Sequence, residues 1–294
     1  MPRFLATAAA ALMATTAFLP LKTVHAEKLS VMWGQVHFPP SSIVTGKDAG
    51  TGFMDRQLDL IIEKLPQYEH KKVPMSVMRL LEMMQKGEQI CFPSLQKNPA
   101  REAFIDFSPF LFVNLSNGLI INAANRDKYA PYLKEDGTAD FGELVASGQF
   151  TFKYHDGKSY TAEIDSVLKR FKDQKSDSLL QQQGNIDRAQ DLKQLEFGRV
   201  DAVLGRLIET LAFAREQGKG DLISFIPVSA ETPYDTIHVG CAKGDWNKDF
   251  MKDLAKAATE IREDEDFVNS YMGWVPTDLV STQRGFHKEA LSRE

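Results

Sequence analysis

From Glu27 onward, short apolar runs alternate with stretches in which apolar residues recur every three or four positions. Residues 29–33 form the first compact apolar run, and the loop 37–42, with its two prolines, follows it. Met54, Leu58, Ile61, Ile62 and Leu65 then fall on one helical face, and Pro66 ends that run. Residues 70–75 read as extended. Ser76 is placed to cap a helix running to Lys86, and Gly87 stops it. Residues 89–93 read as the next strand. This order predicts a β-α-β-α-β unit whose connections are long enough for parallel pairing.

The second half repeats the alternation after an extended apolar stretch at 115–122. Residues 150–155 predict a strand, 159–173 a helix, 188–198 a helix and 199–205 a strand closed by Gly205. A helix over 207–218 and a strand over 221–228 follow. A second extended crossing lies at 235–243. Residues 247–275 read as helical, with Phe250, Leu254, Ala257 and Ile261 on one face and the acidic run 263–266 as a solvated connection. The two extended segments predict a discontinuous first domain, 27–117 plus 238–294, and an inserted second domain, 118–237. Crossing strands of this kind are natural hinges. Loops at the carboxyl ends of strands would line the cleft between the domains.

The first 26 residues stand apart. Arg3 gives a short basic head, an uncharged Ala- and Thr-rich stretch follows, and Val24, His25 and Ala26 close it in small-x-small fashion. This is the layout of a cleaved secretory signal, and it implies an exported product with no direct membrane insertion. The formal charge of −5 excludes the basic face that a nucleic-acid binder needs. Losing Arg3 and Lys22 makes the exported chain more acidic still. Two cysteines cannot build a disulfide scaffold or a four-ligand zinc site, so neither a metal nor a cofactor is expected. Both read as strand ends in an oxidising compartment. Cys91 and Cys241 are either one disulfide or two buried thiols.

The most specific stretch is CFPSLQKNPAREAFIDFSPF, residues 91–110: a strand, a polar turn, Arg101 and an Asp-Phe-Ser-Pro-Phe run. It resembles the bacterial extracellular solute-binding proteins of family 3, which are type II periplasmic binding proteins. Three more pieces agree in order: the loop from His37, Gly52-Phe53-Met54-Asp55, and the GRVDAV segment at 198–203. The resemblance implies an α/β fold of two doubly wound lobes joined by two hinge strands. It implies a monomer that closes on a small molecule and delivers it to an ABC-type permease, or else presents its closed form to a signalling receptor. By position it makes Arg101 the carboxylate ligand, helped by Ser94, Gln96 and Asn98.

Departures from the family pattern bear on the ligand. Amides at Gln96 and Asn98 replace the family's hydroxyls before the Arg, and the corresponding turn of the second domain reads DGKSY, with Ser159 and the bulky Tyr160. Where amino-acid binders place an acid for the α-ammonium, this chain has Arg206. The ligand expected is therefore anionic or carboxylate-bearing, with two anionic groups or none at this end, and free α-amino acids are expected to bind poorly. Phe53, Phe38 and Trp33, with His37 nearby, are the aromatic candidates for the cleft; Trp33 and Phe38 fit the core equally well. Trp274 is expected to pack the C-terminal helices on the first domain. Dehydratases and lytic transglycosylases share the architecture, but His37, His155 and Glu209 form no recognisable catalytic constellation, and no catalytic residue is assigned.

Overall fold

Parallel pairing of the first three strands follows directly from the helices between them. In the computed structural model, which describes residues 28–293 except 40, 175, 185, 232 and 276, β1 (Ser30–Gln35) lies between β2 (Glu69–Pro74) and β3 (Ile90–Gln96), parallel to both. The helices α1 (Phe53–Glu63) and α2 (Val77–Gln85) make the crossovers. Ser76 caps α2 by accepting a hydrogen bond from the Arg79 amide. At the start of α1, a Cβ on Gly52 would lie 2.4 Å from the Ser41 carbonyl oxygen. That close approach lets buried Asp55 accept hydrogen bonds from Ser42 Oγ and the Ile43 and Gly52 amides.

The first sheet is completed by β4 (Ile105–Leu115) and β10 (Tyr234–Ala242), in the order β2-β1-β3-β10-β4. The second contains β5 (Gly118–Asn122), β6 (Phe152–His155), β7 (Leu179–Gln182), β8 (Ala202–Gly205) and β9 (Ile223–Pro227), in the order β7-β6-β8-β5-β9. Strand β4 ends two residues before β5 begins, so the chain passes from one sheet to the other at Ser116 and Asn117 and returns between Pro227 and Tyr234. Tyr234 belongs to the first sheet. The expected leader, residues 1–26, lies outside the described residues.

Each sheet carries its own core. In the first lobe, α8 (Lys248–Ile261) and α9 (Glu265–Met272) lay Phe250, Leu254, Ile261, Phe267 and Tyr271 against the sheet. Trp274 joins this packing with its ring 6.4 Å from that of Phe53. A last helix, α10 (Val280–Arg293), lies on β4 and β10, where Ala290 and Phe286 meet Phe110, Val113 and Tyr234. Cys91 and Cys241 face each other on neighbouring antiparallel strands and form a disulfide that joins positions 150 residues apart. In the second lobe, α4 (Phe141–Ala146) and α5 (Ala162–Asp173) cover one face of the sheet; α6 (Arg188–Glu196) and α7 (Leu207–Glu216) cover the other. Among the described residues, no helix is long and apolar enough to cross a membrane.

Candidate functional site

A cavity of about 140 Å³ lies between the lobes. Its first-lobe wall comes from the loop after β1, the start of α1, the end of β3 and the one-turn helix α3 (Pro99–Glu102). Its second-lobe wall comes from the turn after β6, Gly184 and Ile186 after β7, and Arg206 and Glu209 at the start of α7. These are the loops beyond strand ends where open α/β sheets place ligands.

Arg101 is aimed by its local structure. Asn98 caps α3 through Oδ1, which accepts from the Arg101 amide at 2.9 Å, and Pro99 sets the first helical turn. The guanidinium then donates to the Gln96 carbonyl at 3.0 Å and to the Gly157 carbonyl, across the cleft, at 3.4 Å. Burial pushes this guanidinium down to about 10; nearby Asp165 works against that shift and Arg206 adds to it.

Further contacts join the lobes. Asn98 Nδ2 donates to Ser159 Oγ at 2.8 Å, and Ser159 donates onward to Asp165 at 2.7 Å. The Arg188 guanidinium lies over the Phe38 ring, 4.9 Å from its centre. Gly157, at φ +72°, brings the β6 turn so near α2 that a Cβ there would meet Met78 Sδ at 2.9 Å. The two lobes therefore touch across the cavity.

Of the residues expected at the site, His37, Phe38, Phe53, Ser94, Gln96, Arg101, Ser159 and Arg206 line the cavity. Asn98 sits beside it, at the lobe contact. Trp33 is a correction: its side chain is fully buried in the first core, where Nε1 donates to His70 Nδ1 at 2.9 Å, and it faces away from the cleft. Tyr160 is a second: it is buried in the second core, with its hydroxyl accepting from the His155 amide. Arg206 reaches the cavity, yet its guanidinium also donates to Asp235 at 3.2 Å. Asp235 further accepts from Ser116 and Asn117, so this pair ties the cavity wall to the crossing between sheets.

Three features had not been singled out. Lys158, in the DGKSY turn, points its ammonium into the cavity wall, where Nζ is buried without a hydrogen-bond partner. Asn114, on β4, lines the cavity and accepts from Tyr271. Arg188 binds Glu209 at 2.9 Å and lies 3.6 Å from Asp191, which Lys153 and His155 also approach. A lysine in a turn that usually offers small hydroxyl residues was the visible signal for Lys158. Arg188 had none, because its partners lie three and 21 positions away.

Burial opposes ionisation of Asp191, but His155, Arg188 and Lys153 hold its carboxyl at about 2. Burial pushes His155 below its ordinary value against the pull of that carboxylate. Among the described residues, no group of three or more His, Cys, Asp or Glu side chains is placed to hold a metal ion.

No protein-family model matches the chain, and no curated protein matches it. Solved structures do. An ancestral arginine-binding protein bound to arginine is 17% identical, with a TM-score of 0.61, over 84% of this chain and 98% of that one. The chain has the two-lobed periplasmic-binding-protein fold. A putative L-cystine ABC transporter protein from Listeria monocytogenes is 16% identical, with a TM-score of 0.62, over 85% and 97% of the two chains. A histidine kinase sensor domain with similarity to periplasmic binding proteins is 12% identical, with a TM-score of 0.61, over 84% and 96%.

Proposed function

We propose that the protein is a periplasmic solute-binding protein that captures a small carboxylate-bearing anion between its lobes and delivers it to an ABC-type permease. Arg101 carries this reading. Its guanidinium is half-buried at the cavity wall, its hydrogen bonds go to the carbonyls of Gln96 and Gly157, and among the described residues no carboxylate forms an ion pair with it. A planar guanidinium offers a carboxylate two parallel donors, and such a pair gains strength where water is excluded. The ligand would favour closure by touching both lobes, since only differential affinity moves such an equilibrium.

The similar structures named for arginine and L-cystine support a small-molecule binder of this kind. The ligand differs from a free α-amino acid, because Arg206 occupies the place where an acid would meet an ammonium group. The side chains that acid–base chemistry would draw on are already engaged. His37 accepts from the Val44 amide, His155 faces Asp191, and Glu209 is held by Arg188. The reading is therefore of a binder and not a catalyst. The likeness to a kinase sensor domain supports a second reading of the same cleft, in which the closed form is presented to a signalling receptor.

The test is mass spectrometry of small molecules released by denaturing the purified protein. Arg101→Ala, purified alongside, should release roughly ten- to a hundredfold less carboxylate, as expected for losing a hydrogen bond to a charged group. Its melting temperature without ligand should hardly move. Equal recovery from both proteins removes Arg101 from the site. A common amino acid as the released molecule overturns the reading of Arg206.

A further inference from the structure

Most carboxylates near the cavity already have partners, and Asp156, in the same turn as Lys158, also lines it. Glu209 is held by Arg188, Asp235 by Arg206, and Asp165 accepts from Ser159 Oγ and the Tyr160 amide. Two cations on opposite lobes have no such partner among the described residues: Arg101, bound to carbonyls, and Lys158, whose buried Nζ has no hydrogen bond and lies 5.0 Å from the centre of the Tyr160 ring. A buried ammonium without a partner is costly, and an incoming anion would remove that cost. The rest of the wall is largely apolar, with Phe53, Val77, Phe92, Ile186 and Ile237 among its residues. Two cations on opposite lobes of one largely apolar wall suit two acidic groups on a short hydrocarbon link better than one compact oxyanion.

We infer that the ligand is a short dicarboxylate, one carboxylate held by Arg101 of the first lobe and the other by Lys158 of the second. This rests on the anion-binding reading of Arg101 and names the ligand class of that site. It has a protonic consequence. Burial holds Lys158 down to about 7; Glu209 and Asp191 raise it, while Arg188 and Arg206 lower it further. Asp165 and His155 also feel its charge. A carboxylate placed against Nζ favours the charged form, so above pH 7 binding takes up a proton. Affinity for a dicarboxylate then falls as pH rises from 7 toward the higher value that Lys158 has in the complex.

The test is calorimetric titration of ligand-free protein with succinate, glutarate and adipate. Butyrate serves as the single-carboxylate control and inorganic phosphate as the compact one. At least one dicarboxylate should bind roughly tenfold or more tighter than both controls. At pH 8, buffers of different ionisation heat should report uptake of nearly one proton per site. Lys158→Met should lose both the preference and the proton uptake. Proton uptake in the unaltered protein decides the matter if that variant does not fold.

Butyrate or phosphate binding as tightly as every dicarboxylate overturns the inference, as does a dicarboxylate bound without proton uptake. Arg101-dependent butyrate binding with no gain from a second carboxylate removes Lys158 alone and leaves the anion site standing. If no probe binds, or if Arg101→Ala leaves affinity unchanged, the underlying reading fails as well.

Discussion

The first lobe buries Trp33, Phe250, Phe267 and Tyr271 around a disulfide, whereas the second buries Lys153, His155, Arg188, Asp191 and Glu209 behind its side of the cavity. Both lobes also have ordinary apolar cores, so the contrast lies in what fixes the cavity wall. In the first lobe, Arg101 stands on a capped turn between β3 and β4, strands that flank β10 and are pinned through it. In the second, the wall is held by ion pairs whose energies depend on every partner being present. One wall is held by covalent and apolar contacts and should tolerate changes in charge. The other is held by charge and should be sensitive to it.

Removing the disulfide is the largest disturbance of that contrast. It closes a loop of 150 residues, for which chain entropy alone gives about 5 kcal/mol. A Cys91→Ser, Cys241→Ser double variant should lose stability on that scale, and the loss should fall on the first lobe. Hydrogen exchange would show β3 and β10 opening while β6 and β8 keep their protection. Equal loss of protection in both sheets would mean that the lobes unfold as one unit and that the disulfide stabilises more than its own sheet.

How far the residues reveal this arrangement depends on the distance over which each signal acts. Most of the order of strands and helices was legible because periodicity is local, though short α4 and β7 were not, and so was Arg101, whose turn and cap lie within one run. Trp33 was not. An apolar strand residue carries the same pattern whether it faces the core or the cleft, and the choice depends on α8, which lies more than 200 positions later. Arg206 was legible as a cation in an acid's place, but its partner Asp235 lies beyond two further elements. Helix α10 gave little sign of itself because only Gln283, His287 and Ala290 are buried along it, and two of those are polar. Strand β4 was obscured by Pro109 and its polar neighbours. The buried charges of the second lobe read as surface residues until the fold brings them together.

Breaking the charged wall comes next in size. Arg188→Met keeps most of the side-chain length but leaves Glu209 buried without its partner and takes one cation from Asp191. Loss of one member of a buried pair costs about 3–5 kcal/mol. Exchange in β6, β8 and α6 should quicken while the first sheet is unaffected. Pairing the change with Glu209→Gln removes the stranded charge and should recover part of the loss. If the double variant is no more stable than Arg188→Met, the ion pair is not what holds this wall.

The smallest effect tests one of the contacts through which the two walls meet. Phe38 belongs to the first lobe and offers its ring face to Arg188 of the second. A cation over an aromatic ring is worth about 0.5–1 kcal/mol at a partly exposed site. Phe38→Leu keeps an apolar side chain in the cavity wall but removes the face, so it should weaken the closed form without disturbing either core. Ligand affinity should fall about two- to fivefold, with melting of the ligand-free protein nearly unchanged. The change should also vanish in the Arg188→Met background, because the two residues then no longer interact. If Phe38→Leu costs the same affinity in both backgrounds, Phe38 touches the ligand directly, and the link between the two walls has to be sought at Asn98 and Ser159 instead.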